Sequence, residues 1–216
     1  MAERFADRRE AGRALGEALR RLGLPPDAVL LGLARGGVIV AAEAARALGL
    51  PLDVLVVRKL GVPGQPELAF GAIARGIRVL NPDVVAELQL TPAQVDAVAG
   101  EEQAELERRE AAYRAGRPPL DLRGRTAVLV DDGLATGASM RAAIEAVQAL
   151  GAARIVVAVP VAPPGACDEL AARYPGIECL ALRTPDPFYA VGLWYRSFPH
   201  VTDAQVTAAL GAAPTP

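Results

Sequence analysis

Short, mostly apolar runs alternate along the chain with stretches in which apolar residues recur at helical spacing. The runs have the length and content of buried parallel strands, and they cover residues 28–33, 52–57, 126–130, 153–159 and 177–182. Helices are predicted at residues 5–22, 38–48, 95–115, 140–150 and 166–173. This alternation predicts an α/β protein with a doubly wound, mainly parallel sheet and right-handed crossovers.

Two stretches interrupt this pattern. Residues 60–70 contain two glycines and two prolines, which predict a loop placed as a lid, and residues 69–80 are expected to form a strand or hairpin beside it. Residues 91–116 open with a threonine N-cap, a proline and a glutamine, so they predict a helical insertion with a solvated, charged face. We expect one domain over residues 1–216, with a small hood at 184–210 to which the first helix can contribute.

Composition and charge remove several classes of function. The 216 residues are 52% hydrophobic with a net charge of −2, which is typical of a globular domain and argues against a nucleic-acid or membrane surface. The charged N-terminus has no apolar signal core, so a cytoplasmic protein is predicted. Cys167 and Cys179 lack metal spacing and are expected to be small core residues. His200 is the sole histidine, which excludes a histidine-based metal site and gives a Ser-His-Asp triad little support.

The strongest chemical signal follows the strand at 126–130. Asp131 and Asp132 come first, then a loop with two glycines and a threonine, then a helix. A helix N-terminus presents free N–H groups and a partial positive charge to an anion such as phosphate. The two carboxylates would repel a phosphate, and they suit sugar hydroxyls or a divalent cation beside it. The plainer interpretation is a strand–turn–helix unit in which Asp132 or Ser139 caps the helix.

This stretch closely resembles the phosphoribosyl pyrophosphate (PRPP) signature of type I phosphoribosyltransferases, and the resemblance extends over about residues 28–182. It implies that Asp131 and Asp132 contact the ribose hydroxyls and, directly or through water, Mg²⁺. It also implies PRPP and a nucleobase-like acceptor as substrates, a role in nucleotide salvage and a possible homodimer. The loop that would hold the 5′-phosphate comprises Ala135, Thr136, Gly137, Ala138 and Ser139.

Two further segments carry cations at strand ends. Ala34-Arg35-Gly36-Gly37 follows the first strand and resembles the pyrophosphate loop of the same family, although alone it is equally compatible with a plain turn. Arg58 and Lys59 follow the next strand, and Lys59 is the only lysine of the chain. The resemblance implies that Arg35, Gly36, Gly37, Arg58 and Lys59 hold the pyrophosphate. Arg35 and Lys59 then join the acidic pair as catalytic residues that stabilise the leaving group.

The acceptor is predicted less sharply. Phe188 and Tyr189 lie in an aromatic-rich C-terminal stretch and are expected either to stack on a base or to pack. Phe188 matches a stacking position of the 6-oxopurine enzymes, whereas Ala135 stands where those enzymes carry an acid and is closer to adenine-type members. A purine-like acceptor is favoured, and Glu67 is a candidate base if the lid closes. The alternatives are a non-catalytic regulatory protein that binds PRPP or a nucleotide, and a hydrolase.

Overall fold

The computed structural model describes residues 3–216, except for the side chains of Pro66 and Glu67. Its strands are β1 (Val29–Leu33), β2 (Leu52–Leu55), β3 (Val57–Val62), β4 (Gln65–Ala74), β5 (Ile77–Leu80), β6 (Thr126–Val130), β7 (Arg154–Val161) and β8 (Glu178–Arg183). Its helices are α1 (Arg8–Arg20), α2 (Gly36–Leu48), α3 (Pro82–Glu87), α4 (Pro92–Tyr113), α5 (Ala138–Ala149), α6 (Ala166–Arg173) and α7 (Asp203–Gly211).

Five strands form a parallel sheet in the order β2-β1-β6-β7-β8. Every residue of β1 and β6 is buried, because helices cover both faces. Alternate residues point to opposite faces: Leu30 and Val128 pack in one core with α1 and α2, while Leu31 and Leu129 pack in the other with α5 and α6. The predicted fold class, a doubly wound and mainly parallel sheet, is confirmed.

The order of the strands creates a crevice between β1 and β6. The chain moves outward from β1 to β2, then returns past β1 to β6 and continues to β7 and β8. The connections that follow β1 and β6 therefore diverge at their carboxyl ends. In open α/β sheets, this reversal of order is where ligands bind.

The loop predicted at 60–70 is wrong, because this stretch belongs to a second, antiparallel sheet of β3, β4 and β5, while its role as a lid stays a prediction. The glycines and prolines mark irregularities of a hairpin instead. The register shifts at Gly61, and the turn at Pro63 and Gly64 has Gly64 at φ 80°. The strand predicted at 52–57 correspondingly divides, since β2 ends at Leu55 and Val57 begins β3. The hairpin predicted at 69–80 is present as β4 and β5.

The predicted helical insertion corresponds to α4, which begins with the expected capping box of Thr91 and Gln94. It packs against β3 and β4 and touches α7. Residues 191–194 of the predicted hood form a 3₁₀ turn, and Tyr195 pairs with Phe5 in an isolated bridge. The N-terminal segment is thus joined to the C-terminal one, as the prediction allowed.

The prediction for the two cysteines is wrong in one respect. Cys167 in the first turn of α6 and Cys179 in β8 form a disulfide. The pairing follows from the packing of α6 on β8, which the spacing of the two residues in the sequence does not reveal. No helix within residues 3–216 combines the length and the apolar content that crossing a membrane requires.

Candidate active site

The acidic pair and two helix N-termini meet at the crevice between β1 and β6. Asp131 and Asp132 directly follow β6, while α2 begins one residue after Arg35 on the connection from β1. Helix α5 begins at Ala138, at the end of the loop that follows the acidic pair. Neither helix has a side-chain cap, so their first N–H groups are left for a ligand or water. Asp132 and Ser139 therefore do not cap α5, contrary to the plainer interpretation of the sequence.

Close packing explains the paired glycines of the β1 loop. A Cβ on Gly36 would overlap the Asp132 carboxylate and lie 3.0 Å from Arg8 Nε. A Cβ on Gly37 would lie 2.5 Å from the Val130 carbonyl oxygen and 2.8 Å from Asp131 Cα. The glycines thus allow the start of α2 to lie directly against the acidic pair. The peptide bond between Ala34 and Arg35 is cis.

Each aspartate uses one carboxylate oxygen within the protein. Asp131 Oδ1 accepts a hydrogen bond from the Asp132 N–H at 2.8 Å. Asp132 Oδ2 accepts one from Arg8 Nε, also at 2.8 Å. Burial, followed by the charge of Asp132, raises the pKa of Asp131 well above its usual value, while Lys59 opposes this. Burial likewise raises the pKa of Asp132, and Arg8 opposes that rise.

The loop before α5 has the form expected of an anion site. Gly137 adopts φ 72°, which favours glycine, and it is the N-cap residue. Arg141, in the first turn of the helix, donates through Nη1 to the Thr136 carbonyl oxygen at 3.0 Å. A cleft of about 460 Å³ is lined by Thr136, Gly137 and Arg141 together with α6. Sequence reasoning missed Arg141, although a cation in the first turn of a helix opposes the helix dipole and is itself a signal.

The predicted cations do not all reach the acidic pair. Lys59 is exposed on β3, and its charge acts on the pKa of Asp131. Arg58 points to the other face of the strand, where Nε donates to Glu102 Oε2 at 2.5 Å. The guanidinium of Arg35 lies 3.6 Å from Asp203 Oδ1, at the start of α7. Arg58 is therefore directed away from the acidic pair, while the charge of Lys59 acts on it.

The hood reaches the acidic pair through residues that sequence reasoning did not assign. The Tyr195 hydroxyl donates to the Asp132 carbonyl oxygen at 2.5 Å, and burial raises the pKa of that phenol. A Cβ on Gly133 would lie 2.5 Å from Val191 Cγ1, so the 3₁₀ turn packs on the loop. Of the predicted stacking residues, Phe188 packs partly in the cluster of Phe5 and Tyr195, whereas Tyr189 is 78% exposed. The Glu67 side chain lies outside the described residues.

Residues 6–180 match the model of the phosphoribosyl transferase domain. The chain belongs to the phosphoribosyl transferase family. It is 50% identical over 212 residues to two proteins of Mycobacterium tuberculosis, from strains CDC 1551 and H37Rv, each named "Putative phosphoribosyl transferase". That alignment includes 97% of this chain and 47% of each relative, so the chain spans about half their length.

Two solved structures share the fold of this chain. The crystal structure of TT1426 from Thermus thermophilus has a TM-score of 0.80 and 48% sequence identity, over 96% of this chain and 97% of that one. AQ2163 from Aquifex aeolicus has a TM-score of 0.50 at 12% identity, over 81% of this chain and 73% of that one, and shares the fold. The family resemblance predicted from the sequence is confirmed.

Phosphoribosyl transferases generally use Mg²⁺ with PRPP, and the donor set here is compatible with that ion. Within residues 3–216, no cluster of three or more His, Cys, Asp and Glu side chains could hold a metal by itself. Carboxylate oxygens are nevertheless suitable Mg²⁺ ligands, and Mg²⁺ is commonly bound by one or two carboxylates completed by substrate phosphates and water. Asp131 and Asp132 fit that pattern, because each has an oxygen outside the two internal hydrogen bonds.

Proposed function

We propose that the protein transfers ribose 5-phosphate from PRPP to a nitrogenous base and releases pyrophosphate. The observation that supports this best is the crevice between β1 and β6, where two uncapped helix N-termini flank a half-buried acidic pair. PRPP has the matching distribution of charge, with a phosphate at one end, a pyrophosphate at the other and neutral hydroxyls between them. Because the chain spans about half the length of its Mycobacterium tuberculosis relatives, this activity is proposed for the domain.

Each end of PRPP has a proposed binding partner. The N–H groups and hydroxyls of residues 135–139 bind the 5′-phosphate, and Arg141 adds a nearby positive charge. Asp131 and Asp132 accept hydrogen bonds from the ribose hydroxyls. The loop of Arg35, Gly36 and Gly37 binds the pyrophosphate together with Lys59. Arg58 is omitted from this set because its guanidinium is paired with Glu102.

Breaking the bond between C1 and the pyrophosphate oxygen develops positive charge on the ribose and negative charge on the leaving group. Arg35, Lys59 and the N-terminus of α2 stabilise the negative charge of the departing pyrophosphate in this proposal. Arg35 must leave Asp203 or share its charge with it to take part. Mg²⁺ held by the acidic pair would supply further stabilisation of the departing pyrophosphate.

The acceptor is proposed to be a purine-like base that reaches C1 from the hood. Phe188 and Tyr189 offer aromatic faces there, and the large exposed fraction of Tyr189 leaves it accessible to a ligand. Stacking would hold the base without specifying its polar groups. The identity of the base therefore depends on hydrogen-bonding groups of the hood, which a panel of bases can reveal.

The test is the release of pyrophosphate from PRPP and Mg²⁺, measured against a panel of purine and pyrimidine bases. Asp132→Asn is the matched inactive variant, and Asp121→Asn, an exposed aspartate paired with Arg123, is its control. Release with a particular base that is lost in Asp132→Asn alone would support the transferase. Release without any base would indicate a hydrolase. PRPP binding without release would favour a regulatory protein that binds PRPP without turnover.

A further inference from the structure

Arg8 is bound from three directions at the edge of the proposed active site. Its Nε donates to Asp132 Oδ2 at 2.8 Å, and its Nη1 donates to the Pro199 carbonyl oxygen at 2.8 Å. The guanidinium carbon lies 3.7 Å from the centroid of the Phe198 ring. Only 10% of the Arg8 side chain and 16% of the Asp132 side chain are exposed. Such a buried, stacked and charge-assisted contact holds both partners in one geometry.

The contact unites three parts of the chain that are remote in sequence. Arg8 lies in the first turn of α1, 124 residues before Asp132, while Phe198 and Pro199 belong to the hood. Tyr195 holds the main chain of Asp132 through its carbonyl oxygen. Gly36 fits against both partners only because it lacks a side chain. The side chain and the backbone of Asp132 are thus held by different residues.

This arrangement determines which oxygen of Asp132 faces a ligand. Oδ2 accepts the hydrogen bond from Arg8. Within the described part of the chain, Oδ1 accepts no side-chain hydrogen bond and is left for a ligand. A carboxylate without Arg8 could rotate about its last torsion and exchange its two oxygens. The contact with Nε removes this rotation before a ligand binds. The entropy cost of fixing the carboxylate is then not part of the binding free energy.

We propose that Arg8 is a positioning residue for ribose recognition: by binding Oδ2 it presents Asp132 Oδ1 to a sugar hydroxyl and connects that carboxylate to the hood. The inference rests on the proposed function, because it assumes that Asp132 binds ribose. Arg8 itself touches Asp132 and the hood, and it acts on the sugar through Asp132. Its substitution therefore weakens the recognition of hydroxyl groups and leaves the phosphate contacts unchanged.

The experiment compares two ligands that differ in their hydroxyl groups. Ribose 5-phosphate carries the hydroxyls, whereas tetrahydrofurfuryl phosphate keeps the ring and the phosphate and lacks them. Binding is measured in EDTA by calorimetry or by the fluorescence of Trp194, the only tryptophan. Arg8→Gln is expected to reduce affinity for ribose 5-phosphate about tenfold, the size of one charge-assisted hydrogen bond, and to leave the second ligand unaffected.

Arg9→Gln is the matched control, because Arg9 is the next residue of α1 and its side chain is 67% exposed. It should leave both affinities unchanged. Arg8→Lys, which keeps the charge, should recover part of the lost affinity for ribose 5-phosphate. It replaces Arg8→Gln as the test variant if Arg8→Gln is too unstable to study. Thermal unfolding of each variant separates a loss of stability from a loss of recognition.

The outcomes separate the inference from the function on which it rests. If the wild-type protein prefers ribose 5-phosphate and Arg8→Gln retains that preference, Arg8 does not position Asp132 and the inference is wrong. An equal loss for both ligands would mean that Arg8 has a general structural role, which also overturns it. If the wild-type protein itself fails to distinguish the ligands, ribose recognition by the acidic pair is wrong, and the inference is wrong with it.

Discussion

Two groups of ion pairs, one beside the parallel sheet and one within α4, show two different uses of charged residues. The first group is largely buried and joins distant parts of the chain: Arg8 pairs with Asp132, and Arg114 and Arg117 pair with Asp53. On α4, which packs on the antiparallel sheet, Glu105 pairs with Arg108 and Arg109, three and four residues away in the same helix. Partly exposed pairs within one helix contribute little to stability.

This difference separates two roles for the same residue types. A buried ion pair is costly to desolvate, so it occurs where geometry has to be held, as at Asp132. A partly exposed pair within one helix stabilises that helix by only about 0.2–0.5 kcal/mol. The glycines differ in the same way, because Gly36 is confined by Asp132 and Arg8, whereas a Cβ added to Gly100 on α4 would meet no heavy atom within 4 Å.

The largest effect is expected from breaking the Asp53 pair. Asp53 is 1% exposed and lies 3.0 Å from Arg114 Nη2 and 3.6 Å from Arg117 Nη1. Asp53→Asn leaves two guanidinium groups without their buried anion, which should lower the free energy of unfolding by about 3–5 kcal/mol. Urea unfolding of the variant and the wild-type protein measures this free energy. Glu105→Gln on α4 should leave the unfolding midpoint unchanged, and an equal loss there would remove the contrast between the two regions.

Replacing glycine by alanine should reduce activity at the acidic pair and increase stability on α4. Gly36→Ala forces the new side chain into the Asp132 carboxylate, so we expect PRPP-dependent pyrophosphate release to fall about 100-fold, the size typical for a displaced catalytic group. Gly100→Ala replaces a glycine inside a helix and should stabilise the protein by up to about 1 kcal/mol without changing activity. Steady-state kinetics and thermal unfolding of both variants provide the comparison. A fully active Gly36→Ala protein would contradict the close packing of α2 on the acidic pair.

Lys59 and Arg58 allow a test within the antiparallel sheet. The two residues are adjacent on β3 and point to opposite faces, with Arg58 paired to Glu102. Lys59→Ala should raise the KM for PRPP or reduce kcat about tenfold, because it removes a cation from the proposed pyrophosphate site. Arg58→Ala should leave both constants within about twofold. The reverse result would mean that Arg58 leaves Glu102 in the working enzyme.

The smallest effect concerns the contact between the two regions, where Tyr113 at the end of α4 donates to Asp203 Oδ1 at 2.6 Å. Burial and this hydrogen bond raise the pKa of Tyr113 from 10.0 to about 12. A phenol whose pKa is higher in the folded state stabilises the protein below pH 10.0, and this stability is lost as the pH rises from 10.0 to about 12.

The free energy of unfolding of the wild-type protein should therefore fall more steeply in that alkaline range than that of Tyr113→Phe. The difference between the two proteins is expected to be less than about 1 kcal/mol. The charged groups that act on Tyr113 are Asp203, Arg109 and Arg35, and the guanidinium groups keep their charge throughout. Urea unfolding of the variant and the wild-type protein at matched pH values isolates the contribution of Tyr113. Parallel curves for the two proteins would show that the phenol does not titrate differently on folding.

Local signals predicted several elements well. The apolar run at 126–130 and the helix at 166–173 agree with β6 and α6, and Thr91 and Gln94 form the predicted capping box. A second capping box of Thr202 and Gln205 begins α7 and could have been recognised by the same rule. These successes depend on interactions between residues close in sequence, which a single sequence displays directly.

Glycine and proline misled the prediction where their role depended on partners. In residues 60–70 they indicated a loop, yet they form a bulge and a turn because β3 and β4 pair with each other. Arg58 and Lys59 looked equivalent for the same reason, since the strand that separates their directions was not predicted. The disulfide between Cys167 and Cys179 and the contact of Arg8 with Asp132 require the packed fold before they can be seen.

Strand runs, helix periodicity and an ordered motif are local patterns, so the amino-acid sequence was enough to predict the fold class, the family and the stretch that carries the acidic pair. The packed fold was needed to see that Arg58 is paired away from the crevice, how the hood is joined to it and which oxygen of Asp132 is occupied. These contacts join residues up to 191 positions apart. Their distances are set by packing of the whole chain, which no short stretch encodes.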